Sequence, residues 1–326
     1  MFASRHSSER YDPQRAFLHN EPLYRPLQVN PANTLSLQQA LARGLIHANE
    51  PLLVFLLDET PFCLSLVRMI YHHVAEGVLN GTAWMMSYCV ICNAGMVFSP
   101  QVEGKQHHFV DGGLYNAMTI LLDQESQSLW NHITGYCLHG THQGKQLKAL
   151  TTPLQRSASQ VLAEYPDIQT AWQALSPEDT RMIQEEEAAR LDSNMALPAY
   201  LLLGMENLDE RLPRFEMGLG VWTKQTQRYY TLKDLLTNHF ILDELDGRSL
   251  VIDSSAQQVA PEAFFTTSRQ LDWHGDALYL DDGQVLRDGI LYDAQGKRLN
   301  MERPYQLFQR WYSFVILFPK CQIYGR

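Results

Sequence analysis

Cys89 and Cys92 lie in the run Met86-Ser87-Tyr88-Cys89-Val90-Ile91-Cys92-Asn93-Ala94-Gly95-Met96-Val97-Phe98, where a β-like apolar stretch meets a glycine turn. A Cys-x-x-Cys holds its sulfurs close enough to share one soft metal ion, to oxidise to a disulfide, or to pack as small apolar side chains. As ligands the pair needs company, because a tetrahedral zinc site takes three or four protein donors. Cys137, His139 and His142, in the compact run Cys137-Leu138-His139-Gly140-Thr141-His142, are the best local supply. Such a mixed sulfur and imidazole set suits zinc, copper or iron. As a redox pair, Cys89 and Cys92 would themselves be the catalytic residues. The familiar redox arrangement starts a helix, whose dipole lowers the first thiol's pKa, and here both flanks read as strands. Metal binding therefore ranks above exchange. The competing class is a non-catalytic binding or scaffold protein with both thiols in its core.

Gly112-Gly113-Leu114-Tyr115-Asn116 predicts a turn that brings Tyr115 and Asn116 to a small-molecule ligand beside the thiols, with Trp130 as one wall. The adjacent pairs His72/His73 and His107/His108 have rings that point apart, so at most one of each pair could face a site. Neither pair is expected to supply a ligand.

Strands and turns must position these groups. The apolar run 52–57 reads as a buried strand. Thr60 as cap and Pro61 at the first helical position predict a helix to about residue 73, and Asn80-Gly81 turns the chain into the thiol-bearing strand. After Pro100, short alternating runs predict antiparallel hairpins, a strand over 117–123 and Ser128-Leu129-Trp130 beyond it. Asn33 or Thr34 is expected to cap a short helix stopped at Gly44. Thr152-Pro153 should open a helix to about residue 164, and Ser176-Pro177-Glu178-Asp179 another that passes residue 188.

These elements predict an α+β fold, mainly antiparallel β, with peripheral helices. Residues 1–45 read as an N-terminal arm and short helix, and 46–326 as the main domain. The second half loosely restates the first, which predicts two repeated lobes, about 50–150 and 215–326, joined by a helical segment over about 151–210. Ser254, Ser255 and Ala256 fall where the second lobe would carry its cysteines.

With 326 residues, 45% of them hydrophobic, the chain can bury a sizeable core. A net charge of -10 works against sequence-independent binding of nucleic-acid phosphates. No apolar run approaches the roughly 20 residues of a membrane span. The polar start, Met1-Phe2-Ala3-Ser4-Arg5-His6, lacks the apolar core of a secretory signal, so a cytoplasmic location is expected.

Together, Tyr88-Cys89-Val90-Ile91-Cys92, Gly113-Leu114-Tyr115-Asn116, Asp123 and Ser128-Leu129-Trp130 resemble the bacterial family DUF3179, a domain of unknown function. The likeness covers about residues 50–326 and is concentrated in 88–130. It departs at Val90, where proline is usual in that family. The resemblance implies no settled activity, so it points to a site and not to a reaction.

Overall fold

A computed structural model of the chain describes residues 11–190, 202, 205, 209–255 and 259–326. The apolar run at 52–57 forms the Pro51–Leu57 strand, which pairs antiparallel with Thr60–Ser65. Their tight connection uses Asp58 and Glu59, both at positive φ. Flanking pieces Leu154–Ser157, Gln169–Ala171 and Thr34–Ser36 complete a five-stranded sheet.

A second five-stranded sheet orders Ala149–Thr151, Ala94–Phe98, Thr82–Cys89, Val74–Leu79 and Leu27–Gln28. A third orders Ala16–Leu18, Phe109–Tyr115, Met118–Asp123, Leu129–Asn131 and Cys137–His139. Strands alternate their side chains between two faces, so each sheet offers one face for burial. Met85, Cys89, Met96 and Phe98 from the second sheet share a core with Phe109, Met118, Leu121 and Trp130 from the third. Trp311, Tyr312 and Phe314 of the Trp311–Leu317 helix fill the same core. The thiols therefore sit inside it, and the fold is α+β with mainly antiparallel strands.

Three helix starts differ from expectation. Thr60 and Pro61 open a strand, and the helix Leu66–His72 begins only after Ser65, whose Oγ accepts from Arg68 N–H at 3.2 Å. Ser157, not Thr152, caps the helix Ala158–Glu164, and Ser36, not Asn33 or Thr34, caps Leu37–Ala42. In each case the residues before the cap belong to a sheet. Pro61 pairs with Leu56 near the hairpin turn, where its missing N–H is tolerated. Non-local pairing overrides the local cap-and-proline signal. The helix Pro177–Arg190 forms where Ser176-Pro177 predicts it.

In the second half, the hairpin of Met217–Trp222 and Gln227–Thr231 leads into the helix Leu232–Asn238. The meander Phe240–Leu245, Arg248–Asp253 and Glu262–Thr266 follows. Hairpin, helix and meander come in the same order between residues 51 and 98. His73 and His239 both end their helices at φ 57. His73 O accepts from Tyr88 N–H at 2.7 Å and His239 O from Ser254 N–H at 2.8 Å. Buried Arg156 joins the halves, reaching Glu164 on one side and Glu262 on the other. No helix among the described residues is long and apolar enough to cross a membrane.

Candidate metal centre

Cys89 ends one strand of a hairpin and pairs with Ala94, while Tyr88 pairs with Gly95. The four-residue connection needs a glycine at 95, since a Cβ there would lie 2.1 Å from the Ser87 carbonyl oxygen. It also needs a left-handed residue, and Asn93 supplies it at φ 57, a conformation asparagine adopts more readily than most residues. The Asn93 side chain accepts from Tyr88 Oη–H at 2.8 Å and donates to Phe308 O at 2.8 Å. Arg310 N–H donates to Cys92 O at 3.1 Å. The second half of the chain thus grips the thiol-bearing turn by its backbone.

The third donor comes from a different turn. Asn131 Oδ1 accepts from Ile133 N–H and Thr134 N–H, each at 2.9 Å, and this Asx-turn follows the Leu129–Asn131 strand. It places His132 against the hairpin, where Ser87 Oγ–H donates to His132 O at 2.9 Å. His132 Nε2 then lies 3.6 Å from Cys92 Sγ. The ligand atoms of Cys89, Cys92 and His132 all lie within 4.8 Å of one another. No further His, Cys, Asp or Glu joins this group among the described residues.

Burial would push the Cys89 thiol up, but hydrogen bonds outweigh it. Cys92 Sγ–H, Cys92 N–H (3.5 Å) and Thr119 N–H (3.5 Å) serve the Cys89 sulfur and lower its pKa to about 7. Cys92 is raised well above the usual thiol value by burial and by Cys89. Burial lowers His132 to about 3, with nearby His73 adding to the effect, so the imidazole is neutral at physiological pH. The sequence reading denies Cys89 any activation because no helix begins there. The Cys92 thiol and two backbone N–H groups supply it instead.

Two thiols, one of them poised to ionise, and a neutral imidazole make a donor set that fits a soft ion. His132 Nδ1 is buried without a hydrogen-bond partner among the described residues, as are Trp130 Nε1 and Asn116 Oδ1. With exposures of 1% for Cys89 and 0% for Cys92 and His132, the group is closed to bulky molecules.

Other residues singled out from the sequence are placed differently. Cys137 lies in the shared core with its thiol on His139 O at 3.3 Å, and burial raises its pKa to about 11. His139 is exposed and stacks on Tyr11 at 4.9 Å. His142 joins His107 and Asp123. Tyr115 belongs to a separate cluster with Ile120, Leu129 and Leu138, stacks on Tyr11, and accepts from Asp12 N–H at 3.3 Å. Asn116 turns the chain at φ 53, its N–H donating to Arg15 O at 3.1 Å. Trp130 alone of the expected pocket residues shares the core with the thiols. A surface cleft of about 920 Å³, bounded by Gln28, Glu76, Trp84 and His108 among others, is lined by none of these three. His132 is the residue the sequence did not reveal, and no spacing rule joins it to a thiol pair forty positions away.

A family model described as a protein of unknown function, DUF3179, matches residues 31–314. Neither the curated proteins nor the solved structures gave a match.

Proposed function

This chain belongs to the DUF3179 family of proteins of unknown function, and from that footing we propose that Cys89, Cys92 and His132 hold a soft transition-metal ion of the zinc, copper(I) or iron class. The observation that carries the reading is the 3.6 Å approach of His132 Nε2 to Cys92 Sγ within a fully buried three-donor group. A thiol is only a weak hydrogen-bond partner for the buried His132 Nε2, and an ion shared with the sulfurs would replace that contact with a coordination bond. When bound, it would cross-link the Cys89–Asn93 turn to the Asn131–Gly135 turn. Burial of every donor favours an ion that is retained over one presented to a bulky substrate. All cysteines of the described chain are free thiols, which suits a reducing compartment such as the cytoplasm. We take the matching order of elements in the two halves as a repeat in which only the first lobe carries the thiols.

The test is metal content by mass spectrometry on protein purified without a metal-affinity column. The Cys89→Ser/Cys92→Ser variant is expected to lose about one equivalent of zinc, copper or iron per chain relative to the wild type. Folded wild-type protein that is metal-free and takes up none of these ions on dialysis would overturn the reading. A second reading, reversible oxidation of the pair to a disulfide by a small disulfide oxidant, draws on the lowered pKa of Cys89 beside the protonated Cys92. It predicts loss of two titratable thiols on oxidation of the metal-free protein, restored by a dithiol reductant.

A further inference from the structure

We propose that His107, Asp123 and His142 form a second metal site, built of nitrogen and oxygen donors, which takes a borderline divalent cation such as Zn²⁺, Co²⁺ or Mn²⁺. Their ligand atoms all lie within 4.8 Å of one another. Asp123 is fully buried, and His107 and His142 are 7% and 8% exposed. His107 Nδ1 and Asp123 Oδ2 stand 2.8 Å apart. Two neighbouring donors held about 2.1 Å from one ion are separated by roughly 3 Å. The imidazole and carboxylate stand near that spacing as a hydrogen-bonded pair, a contact that a bound ion would replace with two coordination bonds.

Each donor is fixed by contacts that do not depend on an ion. Asp123 ends the Met118–Asp123 strand, and its Oδ1 accepts from Glu125 N–H at 3.0 Å and Ser126 N–H at 3.2 Å. Ser126 Oγ–H donates to Oδ2 at 2.6 Å. These bonds, with His107, hold the carboxylate below its usual pKa against the effect of burial. His108 O accepts from Gln124 N–H at 2.9 Å, which sets the His107 segment beside the Asp123 turn. Ser128 Oγ accepts from His142 N–H at 3.3 Å, which brings in the third turn.

The surroundings also match a histidine ligand's needs. A metal-bound imidazole usually gives its other nitrogen to a carboxylate or carbonyl. Glu103 Oε2 lies 3.6 Å from His142 Nδ1, so a carboxylate stands beside that imidazole. Lys145 Nζ lies 3.3 Å from the same Nδ1 but pairs with Glu103 Oε1 at 2.5 Å, and its side chain is 41% exposed. The Trp130 ring packs on His142 at 6.0 Å and walls the site toward the shared core. Two imidazoles and a carboxylate leave open positions on the ion, the pattern of sites that bind water or a small anion. This proposal is independent of the thiol site: the two share no residue, and only the thiol site offers sulfur to an ion.

Cobalt(II) chloride titration of the Cys89→Ser/Cys92→Ser variant separates them. One equivalent should bind with ligand-field bands and no sulfur-to-cobalt charge-transfer band, and a further His142→Gln change should weaken binding by more than about 100-fold. If the double-cysteine variant does not fold, the wild type serves. It should bind a sulfur-free equivalent of cobalt that His142→Gln abolishes while circular dichroism stays unchanged. Absence of a sulfur-free equivalent, or equal affinity in His142→Gln, would overturn the proposal.

Discussion

His132 Nε2 and Cys92 Sγ meet at 3.6 Å although the residues lie on separate turns, one after Leu129–Asn131 and one between Thr82–Cys89 and Ala94–Phe98. The contact fixes which imidazole serves the thiols. His132→Gln should keep the fold, because the residue's backbone bond to Ser87 Oγ is retained. Affinity for the soft ion should fall by at least about 10-fold. His139→Gln, on an exposed ring, should leave it unchanged. Competition with a chromophoric chelator measures both.

Acid should weaken the metal-free protein through the same histidine. An unfolded histidine takes up a proton near 6.5, while His132 in the fold does so only near 3. Between these values the unfolded state binds more protons, so stability is lost as pH falls from about 6.5 toward 3. His132 should contribute about 1.4 kcal/mol per pH unit in that window. Urea unfolding at several pH values should show a shallower slope in His132→Gln. Parallel slopes in the two proteins would contradict this account of the ring's burial.

The hairpin carrying the thiols should tolerate no side chain at 95. A Cβ on Gly95 meets the Ser87 carbonyl oxygen at 2.1 Å, a backbone atom that cannot turn aside without breaking the strand pair. Gly95→Ala should cost about 3 kcal/mol and lower soft-ion affinity with it. Thermal unfolding reports the first effect and metal retention the second.

Arg156 should matter to the whole chain. It is buried between Glu164 and Glu262, with Nη2 donating to Glu262 Oε2 at 2.6 Å. Arg156→Ala leaves two buried carboxylates with only Arg298 and Arg303 to serve them. A loss of about 3 kcal/mol is expected, the lower end for a broken buried pair because those partners remain. An unfolding midpoint in urea equal to that of the wild type would contradict it.

Much of this arrangement is legible in residue order. The strands around Cys89 and Cys92, the Asn80-Gly81 turn and the Met118–Asp123 strand follow from apolar runs and turn residues, which act locally. The helix starts at Leu66 and Ala158 were not legible, because pairing with Pro51–Leu57 draws the preceding residues into a sheet. The donor sets were half legible for the same reason. Cys89 and Cys92 are neighbours in sequence, whereas His132 reaches them, and His107 reaches Asp123, only through the pairing of strands.

X-ray absorption at the metal edge of the zinc- or copper(I)-loaded protein tests the central claim most directly. Two sulfur scatterers, at about 2.3 Å if the ion is zinc, together with the multiple-scattering pattern of an imidazole, are expected, the imidazole signal of the protein loaded with one equivalent of copper(I) being lost in His132→Gln. A first coordination sphere of oxygen and nitrogen alone would contradict the assignment of Cys89, Cys92 and His132 as the ligands.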